Sequence, residues 1–147
     1  MSTLVLPTSE AKPVRANAVK TGRVLSGLAV AFLVFDAGMK FTNVPAVAEA
    51  MTQLGWPLRA TTGIAILEIL CLALYLIPRT SVLGVVLLTG YLGGAIATHV
   101  RVGNPLFSHV LFPVYIAALL WGGLYLRDAR LRVLLALRSR PLPMTDD

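Results

Sequence analysis

Four uninterrupted apolar runs dominate this sequence, from about Val24 to Phe41, Ala60 to Ile77, Ser81 to His99 and Val110 to Leu126. A helix that crosses a bilayer needs roughly 17–25 mostly apolar residues at about 1.5 Å rise each. Lipid offers no partner to a backbone N–H or C=O, so only helices and closed barrels cross it. Barrel strands alternate in polarity over about ten residues, and these runs do not alternate. The runs therefore predict an all-α, four-helix transmembrane bundle.

Charge agrees and adds an orientation. Charged residues make up 14% of the chain, where a soluble domain carries roughly 25%, and hydrophobic residues make up 56%. That balance excludes a disordered chain and a soluble nucleic-acid binder, and Cys71, the only cysteine, excludes a disulfide scaffold. With the N-terminus inside, Lys12, Arg15, Lys20, Arg23, Arg79, Arg127, Arg130, Arg132, Arg138 and Arg140 share one side. Only Lys40, Arg59 and Arg101 fall on the other. Cytoplasmic flanks carry the excess of Lys and Arg, so both termini are expected inside (N-in/C-in). Three segments follow: a basic tail over 1–23, uncleaved; the membrane domain over 24–126; a basic segment over 127–147.

The flanks carry local signals. Asn43 to Gly55 reads as a short outer helix or an ordered loop packed on the bundle, with Asn43 as N-cap and Gly55 as stop. Trp56 then sits at headgroup depth. In the C-terminal segment Asp128 and Arg132 are spaced to pair on a helix, and five arginines point to anionic lipid headgroups rather than nucleic acid. Residues 2–14 and 141–147 read as flexible tails. Among helices in lipid, small residues that permit close approach favour association. Gly84, Gly90, Gly94 and Thr98 in the third run, with Ala118 and Gly122 in the fourth, supply such material for packing within one chain, in a homo-oligomer or against another membrane protein.

A few polar residues break the apolar pattern. An ionisable group at membrane depth costs at least about 2.5–3.5 kcal/mol on insertion scales, so it calls for a partner or a task. Asp36 lies about 8 Å below the outer end of the first run, and Glu68 about 12 Å below the same end of the second. Lys40 follows Asp36 by one helical turn, nearer the surface. His99 ends the third run, Arg101 and Asn104 follow in the loop, and His109 opens the fourth. Two readings stand side by side. The first is structural: Asp36 with Lys40, and Glu68 with Arg101 or His99, fix helix register as ion pairs. The second is a small polar cavity opening outward, with Glu68 or Asp36 as proton acceptor and Asp36, Lys40, Glu68, His99 and Arg101 as ligand contacts. Ordinary interfacial histidines outweigh bis-histidine haem ligation by His99 and His109, and too few ligands gather for zinc.

Absences prune further. A lone cysteine excludes dithiol chemistry, and no phosphate-binding glycine loop or dinucleotide fingerprint is present. Ser26, Ser81 and Ser108 sit in no nucleophile motif. No broken-helix inverted repeat suggests a transporter.

In order and spacing, several stretches resemble the DoxX-like family of small bacterial membrane proteins. They are Asp36-Ala37-Gly38-Met39-Lys40, Leu54-Gly55-Trp56-Pro57, Gly63 through Glu68 to Leu70, Ile77-Pro78-Arg79-Thr80, Gly94 through His99 and Arg101 to Pro105, and Tyr125 to Asp128. The resemblance covers about Val24 to Arg132. It implies a four-helix bundle in a bacterial inner membrane, with recurring polar positions at Lys40, Glu68, His99 and Arg101. The family takes its name from a subunit of a thiosulfate:quinone oxidoreductase. A quinone head suits the expected cavity, accepting hydrogen bonds from Lys40, His99 or Arg101. The leading expectation is an accessory subunit or small-molecule-binding protein. The competing ones are a membrane oxidoreductase or isomerase with Glu68 as general base, and a structural or chaperone-like partner of another membrane protein.

Overall fold

The structure is a computed structural model, and it describes residues 16–42 and 44–137. The tails expected over 2–14 and 141–147 lie outside those residues, as do Asn43, Arg138 and Arg140. Among the described residues six α-helices follow in order: α1 (Ala16–Thr42), α2 (Pro45–Gln53), α3 (Ala60–Leu76), α4 (Ser81–Arg101), α5 (Phe112–Arg127) and α6 (Ala129–Leu137). One π-helical turn, Leu106–Val110, precedes α5.

Helix α1 begins eight residues ahead of the expected span. Its 27 residues rise about 40 Å, some 10 Å more than a hydrocarbon core. The extra turns carry Lys20 and Arg23, both exposed, so part of the basic tail is helix. With α4 and the stretch Leu106–Arg127, α1 is long and apolar enough to cross a membrane. Helix α3 is apolar but shorter, and its 17 residues rise about 26 Å.

The ends of these helices follow from local chemistry. Pro78 drives Ile77 into extended backbone and stops α3. Thr80 Oγ1 then donates to the freed Leu74 carbonyl at 2.8 Å, which tightens the turn into α4. Gly103, at φ 72°, closes α4 in the left-handed region that favours glycine. Gly55 does the same after α2, at φ 70°. The N-cap of α2 falls on Val44, which makes no side-chain cap hydrogen bond, and Pro45 opens the helix with the preset φ its first turn requires.

Four long helices close a ring: α1 packs on α5 and α3, and α4 packs on α3 and α5. Leu33, Leu72, Val85, Leu88, Leu120 and Leu124 fill the interior. The exterior is as apolar as the core, with Val24, Leu28, Phe35, Leu67, Leu70, Leu83 and Val86 all exposed. Four polar residues, Ser26, Thr61, Glu68 and Ser81, are buried within the bundle. Water would penalise such a surface, whereas lipid is its matching solvent.

Close approach is set by different glycines than the expected stripe. A Cβ on Gly84 would lie within 2.6 Å of Tyr75 N, Tyr75 Cα and Leu74 C. A Cβ on Gly22 would lie 2.8 Å from the Gly123 carbonyl oxygen, which brings α1 against α5. Gly90 and Gly94 meet nothing within 4 Å, and Ala118 is exposed. Of the expected stripe, only Gly84 is pressed into the bundle. Beside the α1–α5 contact, buried Tyr75 donates to the Leu120 carbonyl at 3.0 Å and shares a 2.8 Å hydrogen bond with Ser26 Oγ. That node ties α1, α3 and α5 together.

The expected pairing of Asp128 with Arg132 does not form. Asp128 leaves the helical region (φ −113°, ψ 112°), so α5 and α6 are not one continuous helix and the one-turn spacing is lost. Its Oδ1 accepts from Arg130 N at 2.8 Å and its Oδ2 from Ser81 Oγ at 3.4 Å. Asp128 acts as the cap of α6.

Candidate functional site

Three helices deliver the polar residues to one place. Asp36 and Lys40 sit one turn apart on α1, Glu68 on α3, and Tyr91 on α4. Lys40 Nζ donates to Asp36 Oδ2, to Glu68 Oε2 at 2.8 Å and to Tyr91 OH at 2.9 Å. Tyr91 OH in turn donates to Glu68 Oε2 at 2.9 Å. The ammonium thus lies between two carboxylates, and one carboxylate oxygen receives both the ammonium and the phenol.

The cluster has a gradient of exposure. The Glu68 side chain is 0% exposed, Lys40 15% and Asp36 39%. Asp36 therefore opens the cluster at the outer wall of α1, beside exposed Phe32 and Phe35. Glu68 Oε1 is buried and has no hydrogen-bond partner among the described residues. An acceptor left unpaired in a low-dielectric interior is expensive, and such groups ask for an explanation in function or in a bound molecule. With two carboxylates to one ammonium, the cluster is short of donors. An incoming hydroxyl, amine or water would supply what Oε1 lacks.

The sequence-predicted residues divide into two groups. Asp36, Lys40 and Glu68 meet as the depth arithmetic suggested. His99 and Arg101 make no hydrogen bond or ion pair with them among the described residues. Arg101 Nη2 donates to the Leu54 carbonyl, and its guanidinium lies against Gly55, so it clamps the turn that follows α2. The Glu68–Arg101 and Glu68–His99 pairs are therefore absent, and Lys40 is the cation that Glu68 meets. His99 shares a 2.8 Å hydrogen bond with Asn104 Nδ2, and its ring meets that of His109 edge-on at 5.6 Å. Among the described residues no group of three or more His, Cys, Asp or Glu is placed to hold a metal.

Tyr91 is the member that sequence reasoning missed. A phenol in an apolar run leaves the hydropathy pattern intact, although its position ten residues below Arg101 puts it near the level of Glu68. The surface also bears a cavity of about 390 Å³ along α2, lined by Ala48, Glu49, Thr52 and Gln53. A second, of about 280 Å³, opens at the opposite end of the bundle, beside Arg23 and Arg127. Neither is lined by a residue of the cluster, whose most exposed member is Asp36.

A family model described as the DoxX-like family matches residues 24–123 of the chain. No curated protein and no solved structure matches it.

Proposed function

The chain belongs to the DoxX-like family, and from that premise we propose that this multi-pass membrane protein binds the polar head of a small amphipathic, quinone-like molecule at Asp36, Lys40, Glu68 and Tyr91. The observation that carries the reading is the buried Glu68 Oε1, left without a hydrogen-bond partner among the described residues in a cluster whose Asp36 is part-exposed. All four long helices cross the inner membrane in this reading, with both termini cytoplasmic and the cluster in the periplasmic half. The ligand enters sideways from lipid, its tail along the exposed apolar face of α1 and its head displacing Asp36. A hydroxyl of the reduced head donates to Glu68 Oε1, and Lys40 donates to a carbonyl of the oxidised head. In this reading the protein is an accessory subunit to a redox partner.

Glu68→Gln separates this reading from a purely structural one. Lys40 and Tyr91 both donate to Oε2, so the amide oxygen of a glutamine takes that place and its NH₂ replaces Oε1. Shape is kept while the free acceptor becomes a donor. The protein carried from native membranes in lipid discs is expected to retain a lipophilic compound with a polar head, seen by mass spectrometry. The Glu68→Gln protein is expected to lose it. Bulk phospholipid alone in the wild type, or the same occupant in both, sinks the reading.

A further inference from the structure

The other end of the bundle carries a second polar feature that the cluster does not use. The 280 Å³ cavity lies where the start of α1, the α3–α4 turn and the α5–α6 junction meet. Arg23, Arg127, Arg130, Ser81 and Asp128 line it. Three guanidinium groups against one carboxylate leave it strongly positive. The carboxylate is already engaged, as cap of α6 and acceptor from Ser81. None of the three arginines forms an ion pair with another described residue.

Arg127 is the most constrained of the three. Its guanidinium stacks on the Tyr75 ring, 4.8 Å from the centroid, and Nη2 reaches the Tyr75 carbonyl at 3.5 Å. Its Nε is buried without a hydrogen-bond partner among the described residues. A fixed, planar fork with a donor to spare suits phosphate oxygens, which accept in pairs. The cavity lies at the basic mouth that the charge distribution puts on the cytoplasmic side, and Val19 and Leu124 give it an apolar flank. Basic pockets between spans on that side hold anionic headgroups.

We propose that the Arg23–Arg127–Arg130 cavity binds one phosphate-ester anion, supplied by the head of an anionic phospholipid or by free phosphate. The test uses the full chain in detergent with two probes, dioleoylphosphatidylglycerol against dioleoylphosphatidylcholine by native mass spectrometry, and inorganic phosphate by thermal shift. The expected result is one phosphatidylglycerol per chain, retained in preference to phosphatidylcholine. Arg127→Gln is expected to weaken retention about tenfold. Because Arg127 also packs on Tyr75, the pair Arg23→Gln/Arg130→Gln, both at exposed positions, provides an independent variant with the same expected loss. Arg79→Gln, a basic residue of the same mouth that does not line the cavity, is expected to leave retention unchanged. Stabilisation by inorganic phosphate identifies the free anion as a source, whereas retention of phosphatidylglycerol without it identifies the lipid. Equal retention of the two lipids with no effect of phosphate overturns the proposal. Wild-type behaviour of the double variant does so too.

Discussion

Lys40→Ala is expected to destabilise the folded protein by about 3 kcal/mol. That is the lower end of the cost of breaking a buried ion pair, because Asp36 keeps contact with the exterior. The reason is arithmetic of charge. Lys40 is the only cation bonded to either carboxylate among the described residues, and it also donates to Tyr91. Without it Glu68 remains fully buried between helices with one phenol as its donor. Reversible unfolding in mixed micelles measures the effect. Adding Glu68→Gln to Lys40→Ala removes the stranded charge, so the double variant is expected to regain most of the loss. A Lys40→Ala protein within about 0.5 kcal/mol of wild type, the range of an ordinary surface change, contradicts the cluster as described.

The second large effect belongs to packing. Gly84→Ala is expected to cost about 3 kcal/mol, the upper part of the range for overpacking. The three atoms that a new Cβ would strike are all backbone, so no side chain can swing aside and α4 must move off α3. Tyr91 on α4 reaches Glu68 on α3, and their 2.9 Å hydrogen bond is expected to lengthen with that movement. Gly94→Ala supplies the contrast within the same helix. Nothing lies within 4 Å of its Cβ, and alanine is favoured over glycine in a helix interior by roughly 0.5–1 kcal/mol. Thermal unfolding of the two proteins should therefore diverge, with Gly84→Ala well below wild type and Gly94→Ala at or above it. Equal behaviour of the two would place the α3–α4 contact elsewhere.

The contrast between Gly84 and Gly94 also marks how far the sequence reaches. Residues four apart share a helix face, so the spacing of Gly90, Gly94 and Thr98 correctly groups them. Periodicity does not say which face turns inward, because in lipid both faces are apolar. The glycines that seat α1 on α5 escaped for another reason. Gly22 lies in a stretch whose basic residues read as a tail, although charge at a membrane surface does not end a helix.

Depth behaved in the same way at the candidate site. Rise per residue put Asp36 and Glu68 at one level, and Lys40 joins them. The same counting selected His99 and Arg101, but height along a helix leaves its direction around the axis free. Arg101 turns to the Leu54 carbonyl and His99 to Asn104 and His109, so both serve the turns that follow α2 and α4. Tyr91 stayed hidden because its ring reads as apolar while its hydroxyl supplies the donor that Glu68 needs. The pairing of Asp128 with Arg132 failed on a similar point, since spacing assumes a continuous helix and Asp128 interrupts it.

The most direct test of the central claim is an equilibrium titration of purified protein with a short-chain ubiquinol, held reduced, and with the matching ubiquinone. Wild type is expected to bind saturably, with the quinol tighter because its hydroxyl meets the free acceptor at Glu68 Oε1. Glu68→Gln, which replaces that acceptor with a donor, is expected to bind the quinol at least about tenfold more weakly. Absence of saturable binding to wild type, or equal quinol affinity in the two proteins, would contradict the assignment of Glu68 and its neighbours as a ligand site.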